Sequence, residues 1–145
     1  MISLIIGTHG SFSKELISSA ELIYGKLENV SYITFLPGEG QSDLISKYNS
    51  IIDTLDKDSS VLFLVDLFGG SPFNTASILA MENENMDVVT GVNLPMLLEV
   101  YPNIHSASLE ELVEIAESAG KNSICSLKKS IETNNVEDDL LWKLV

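Results

Sequence analysis

The stretch "SVLFLVDLFGGSP" (60–72) decides the fold. Val61 to Val65 is an unbroken apolar run, the most apolar of the chain, and reads as a strand covered on both faces. Asp66 closes it, and the paired glycines of "LFGG" turn the chain. Ser71 and Pro72 then open a helix. Ser71 is placed to cap it, and Pro72 fits the first turn, where its missing N–H does no harm. A strand hidden on both sides needs helices above and below it, so the expected class is α/β with a parallel sheet.

The same unit recurs on either side. "ISLIIG" (2–7) is a second run of this kind, followed by a helical pattern with Phe12, Leu16, Ala20 and Ile23 on one stripe. Ser11 or Ser13 is available as its N-cap, and Gly25 is its expected stop. "VSYITFL" (30–36) is β-branched and aromatic, hence a strand, and "PGEG" (37–40) is turn chemistry. Leu44, Tyr48, Ile51, Ile52 and Leu55 keep helical spacing. "DVVTGV" (87–92) reads as the fourth strand, "LPMLLEV" (94–100) as a short helix. "SLEELVEIAESAGK" (108–121) is amphipathic, with Ser108 and Glu111 as a capping box and Gly120 as a stop. "NSICSLK" (122–128) reads as one more strand. Alternating strands and helices imply right-handed crossovers, one three-layer domain and a flavodoxin-like sheet order of 2-1-3-4.

The totals narrow the function. A length of 145 residues fits one domain, and 45% apolar residues suffice for a core. A net charge of -13 argues against nucleic acid and anionic membranes, and suits solubility or a basic protein partner. Cys125 is the single cysteine and reads as a small core residue. No internal disulfide is then possible, which is compatible with a reducing cytoplasm. The N-terminus lacks a basic segment, so no secretion signal is expected, and no apolar run spans a bilayer. The chain is expected to be cytoplasmic.

In an open parallel sheet, ligands sit beyond the carboxyl ends of the strands, where strand order reverses. Two loops with site-like chemistry meet there. One is "GTHG" (7–10), a histidine bracketed by glycines; the other runs from Asp66 through Gly69 and Gly70 to Ser71. Each piece has a plain structural reading: a surface histidine, a turn aspartate, a loop with a helix cap. At the ends of neighbouring strands they make a coherent site. A carboxylate on one ring nitrogen fixes the tautomer and frees the other nitrogen as a nucleophile toward phosphorus. The N–H groups at "GGS", the Ser71 hydroxyl and the start of a helix suit the phosphoryl oxygens. The helix opening at residues 11–13, just after His9, has the same polarity.

His105, in "PNIHSAS", has no acidic partner in sequence and reads as surface. Glu82, Glu84 and Asp87 read as a solvated helix end, so no metal is expected. No P-loop or GxGxxG is present, which leaves nucleotide and dinucleotide binding unsupported. A receiver-type module would need an acidic pair after the first strand to hold magnesium, where this chain has "GTHG". A flavin-holding module without chemistry is the remaining alternative.

"IIGTHGSFSKELISSAELIYG", "FLPGEG", "VLFLVDLFGGSPFNTAS" and "VVTGVNLPMLLEV" together resemble the IIA component of the mannose-family sugar phosphotransferase system, from Met1 to about Lys128. The resemblance implies a protein-histidine phosphotransferase without a cofactor. It takes a phosphoryl group from the phosphocarrier HPr on His9 and passes it to a histidine of the IIB component. The membrane components IIC and IID then take part in sugar import. It further implies that Asp66 orients His9 and that Ser71 holds the phosphoryl group. Gly70 and Gly10 stand beside them as phosphoryl-binding positions. The family's dimers exchange an edge strand, which here would be "NSICSLK". Residues 1–128 would form the phosphotransfer domain, and 129–145 a tail without a dependable counterpart. Some relatives carry IIB after an Ala/Pro-rich linker. This chain shows none, so a separate IIB is expected. Pro102 falls where relatives often continue a helix. An alternative within the resemblance is the IIA-like subunit that serves a dihydroxyacetone kinase.

Overall fold

The computed structural model describes residues 1–134. Four strands, β1 (Ile2–His9), β2 (Val30–Phe35), β3 (Ser60–Val65) and β4 (Met86–Val89), form one sheet in the order β2-β1-β3-β4. Every pairing is parallel, which puts all four carboxyl ends along one edge of the molecule. His9 lies opposite Phe35 of β2, and Gly7 opposite Val65 of β3. The expected strand order and class are what the chain adopts.

Period-two alternation sends the central strands into two cores. Leu4 and Ile6 of β1 and Leu62 and Leu64 of β3 join one cluster, with Leu16, Ile17 and Ala20 of α1 (Phe12–Tyr24), Met96 and Leu97 of α4 (Leu94–Val100), and Leu112 and Ala116 of α5 (Leu109–Asn122). Ile5 of β1 and Val61, Phe63 and Val65 of β3 face the other way, onto Leu44 and Tyr48 of α2 (Gln41–Ile52) and Ala76 of α3 (Ser71–Met81). Each fully buried large apolar side chain contributes about 1.5–3 kcal/mol. Most of β1 and β3 is buried on both faces, so the site rests on the stiffest part of the sheet.

Several local expectations need correction. The buried stripe of α1 is Ser13, Leu16, Ile17 and Ala20, while Phe12 and Ile23 are exposed. Leu55 falls beyond the end of α2. Gly120 does not stop α5, which runs on to Asn122. A Cβ at 120 would lie 2.8 Å from Met96 Cε, so the glycine lets α5 pack closely on α4. Ser108 does cap α5, accepting the N–H of Glu111 at 3.1 Å. Pro102 sits in a 3-10 turn (Tyr101–Asn103) that ends α4, and Ile104 O then accepts the N–H of Ile2 (2.9 Å).

"NSICSLK" forms no strand. Asn122 ends α5, a short connection follows, and Leu127 starts α6 (Leu127–Asn134). The apolar residues at 124, 125 and 127 carry no period of two, and no neighbouring strand in this chain pairs with them. Cys125 is exposed in that connection rather than buried in the core. The part of the expected tail beyond 134 lies outside the described residues. Among the described residues, no helix is long and apolar enough to cross a membrane.

Candidate functional site

His9 ends β1 with its side chain 45% exposed, and Asp66, just past β3, is 19% exposed. One oxygen, Asp66 Oδ2, accepts both the backbone N–H of His9 (3.0 Å) and ring Nδ1 (2.9 Å). Main chain and ring are thus tied to the same atom. A carboxylate oxygen only accepts, so Nδ1 carries the proton and Nε2 presents its lone pair. Asp66 Oδ1 is buried and takes no hydrogen bond from the described residues.

The ring is held from its sides as well. Phe35 meets it edge-on at 5.8 Å between centroids. Gly70 lies against the opposite part of the ring, where a Cβ would stand 2.7 Å from His9 Cε1 and 3.4 Å from Nε2. Only a residue without a side chain allows that approach.

Two helices begin close to His9, α1 a few residues after it and α3 at Gly70 against the ring, and they differ. At the start of α1, the N–H of Ser13 is taken by Thr8 Oγ1 (2.7 Å), and Ser13 Oγ donates to Ile33 O (2.7 Å). Both residues are buried, so the Ser13 amide and hydroxyl are committed within the protein. At the start of α3, Gly70 is the N-cap and no side chain caps the helix. Ser71 is its first residue, Pro72 follows, and Asn74 N–H bonds back to Gly70 O (2.9 Å). The first-turn N–H groups of α3 and the Ser71 hydroxyl are donors for an anion, favoured further by the helix dipole.

The rim is apolar. Phe12, Leu36, Leu67 and Phe68 are exposed, and each adjoins a site element: α1's start, β2's end, or the loop after Asp66. Phe68 is fixed by its ring contact with Phe73 of α3 (4.7 Å). The 36–40 turn is pinned by Lys47, whose Nζ donates to Thr34 O and to Glu39 Oε1, both at 2.8 Å. Glu39 also accepts the N–H of Leu36 (2.7 Å). The Lys47 hydrogen bond, with that of Leu36 behind it, holds the Glu39 carboxyl below its ordinary 4.5. A lowered carboxyl stabilises the fold above its unfolded pKa, and that contribution disappears as pH falls through the folded value. Glu39→Gln is therefore expected to lose less stability than the wild type as pH falls below 4.5. Thermal melts of both chains from neutral pH to pH 3 check this.

The structure thus brings His9, Asp66 and Gly70 into contact and sets Ser71 in the adjoining first turn. Ser71 is helical rather than the cap, because Gly70 takes the extended cap conformation. Gly10 has a left-handed φ of +57° and pairs with Phe35 across an isolated bridge. The amides of Gly10 and Gly70 donate to Phe35 O (2.8 Å) and Leu67 O (3.2 Å). Their contribution is therefore turn geometry and room, not free N–H groups. His105 is exposed, as expected. Thr8, Phe35 and Tyr48 were not foreseen at the site. Thr8 stands inside "GTHG" with no pattern that marks its hydroxyl, and Tyr48 reads as one more apolar position of α2. Among the described residues, no group of three or more His, Cys, Asp or Glu side chains could hold a metal ion.

Comparison with known proteins gives one consistent answer. A family model described as "PTS system fructose IIA component" matches residues 3–117. The PTS system mannose-specific EIIAB component of Escherichia coli is 44% identical over 128 residues, 88% of this chain. The chain spans 40% of the length of that relative. The PTS system fructose-specific EIIA component of Bacillus subtilis is 38% identical over 128 residues, covering 87% of this chain and 88% of that one. Among solved structures, the phosphotransferase system component EIIA from Streptococcus agalactiae superposes with a TM-score of 0.82 at 31% identity. It covers 89% of this chain and 99% of its own.

Proposed function

Because this chain belongs to the mannose-family IIA components of the sugar phosphotransferase system, phosphoryl carriers of sugar uptake, we propose that it carries the phosphoryl group on Nε2 of His9. The observation that carries this reading is the Asp66 Oδ2 clamp on both the N–H and Nδ1 of His9. The Nε2 lone pair attacks phosphorus, and the bond from phosphorus to the donor breaks with its electron pair returning to the donor. Nδ1–H stays on Asp66, whose charge offsets the positive ring. The phosphoryl oxygens turn toward the first-turn N–H groups of α3 and the Ser71 hydroxyl, with Gly70 leaving room for them. Onward transfer reverses the steps toward a histidine of IIB.

In this reading HPr is the donor, IIB the acceptor, and IIC and IID act downstream. The exposed apolar rim supports docking of a protein rather than a small molecule, and the net charge of -13 favours basic partners. The protein then works in the cytoplasm, with residues 1–128 as the phosphotransfer unit. A homodimer is part of the reading, supported by the edge of β4, which pairs with no further strand among the described residues, and the groove of about 650 Å³ beside it. The dihydroxyacetone-kinase alternative is not favoured, since the matched family and relatives are sugar-system components.

The test is incubation with phospho-HPr. One acid-labile, base-stable phosphate per chain is expected, and chains that stay unmodified at saturating donor would refute the reading. Gly70→Ala should take up that phosphate about tenfold more slowly, because its Cβ would push the ring off Asp66. Single-turnover labelling measures this, and a wild-type rate would contradict it.

A further inference from the structure

We propose that Tyr48, far below the surface, is a positioning residue for phosphoryl transfer, bracing the first turn of α3 against the strand that carries His9. The inference rests on the proposed function and adds a residue that contacts neither His9 nor the transferred group. Tyr48 is fully buried on α2. Its ring stands edge-on to Phe63 of β3, with centroids 5.3 Å apart. Its hydroxyl donates to Pro72 O (3.0 Å) in the first turn of α3. The same hydroxyl occupies the space where a Cβ on residue 7 would be, so β1 must carry glycine two residues before His9. One oxygen thus touches β1 and α3, while its ring touches β3. Those are the elements bearing His9, Ser71 and Asp66.

The hydroxyl's role is to keep a distance. Ser71 and its neighbours can stabilise the phosphoryl oxygens only if α3 begins at a fixed height above the ring, and a shift of 1 Å in such a constellation costs up to about 100-fold in rate. Without the hydroxyl the buried Pro72 carbonyl would lose its side-chain donor, and α3 would have to shift to satisfy it elsewhere. Burial, and then the negative charge of Asp66, push the Tyr48 pKa well up, so the hydroxyl remains a donor throughout the working range.

The experiment compares wild type, Tyr48→Phe and Ile104→Val, with phospho-HPr as donor. Phe keeps the ring on Phe63 and fits beneath Gly7, so the circular dichroism spectrum should be retained. Ile104→Val trims the core on the opposite face of the sheet and controls for general loosening. The expected result is a single-turnover uptake rate at saturating phospho-HPr about tenfold lower in Tyr48→Phe, a half-saturating phospho-HPr concentration within about twofold of wild type, and an unaltered saturating rate in Ile104→Val. An unchanged saturating rate in Tyr48→Phe, an equal fall in Ile104→Val, or a Tyr48→Phe chain that does not fold would each overturn the proposal. His9→Ala, run alongside, separates the two levels. If it still takes up phosphate, the carrier reading fails; if it is inert while Tyr48→Phe matches wild type, only the positioning role fails.

Discussion

His9→Ala is expected to accept no phosphate from phospho-HPr while keeping its fold. The ring is nearly half exposed, so its removal leaves no large cavity. Asp66 Oδ2 keeps the His9 backbone N–H when the ring is removed, so the carboxylate is not left without a partner. Activity should nonetheless vanish, because no other side chain at the site is a comparable nucleophile. Asp66 is occupied with the His9 N–H, and the Ser71 hydroxyl has no neighbouring base among the described residues. The second histidine, His105, is exposed in the stretch between α4 and α5, away from the carboxyl edge of the sheet. His105→Ala should therefore label at the wild-type rate. Intact-mass measurement of both variants after incubation with donor checks the pair, and label retained in His9→Ala would show that another group carries the phosphate.

Asp66→Ala is expected to slow phosphoryl uptake by about 100-fold without unfolding the chain. Two losses combine. The ring is released from its fixed tautomer and orientation, and the charge that offsets the phosphorylated imidazole is gone. Asp66→Asn separates them. An amide oxygen can still accept from Nδ1–H, but it brings no charge, so its rate should fall between wild type and Asp66→Ala. The fold should survive either change, because Oδ1 of Asp66 supports no described hydrogen bond and Oδ2 supports only His9. Rapid-quench rates and melting curves on the same samples measure both quantities. Equal rates for wild type and Asp66→Ala would remove the aspartate from the mechanism.

Much of this arrangement was legible in the sequence because the strands are unambiguous. "ISLII" and "VLFLV" have no polar face and so belong in the interior of a parallel sheet. A flavodoxin-like order then makes their carboxyl ends neighbours and sets His9 facing Asp66. Features set by packing between distant segments were not legible. Gly120 has the look of a helix stop, but its role is set by Met96, which lies 24 residues before it and forms no local pattern with it. Ile17 replaces Ile23 on the buried stripe of α1 because the angle at which that helix meets the sheet is a tertiary property. "NSICSLK" has residues suited to a strand, yet strand formation needs a partner edge, and here the chain turns into α6 instead. Tyr48 was visible only as an apolar position at helical spacing. Its hydroxyl gains meaning from Gly7 and Pro72, which lie 41 residues before it and 24 after.

The central claim is that Asp66 holds Nδ1 and leaves Nε2 to react. Nitrogen-15 and phosphorus-31 NMR of the protein, labelled at histidine nitrogen and charged by phospho-HPr, reads this directly. A phosphorus coupling to Nε2 of His9, with Nδ1 still protonated, is the result the geometry predicts. Phosphorus bonded to Nδ1, or to any residue other than His9, would contradict it.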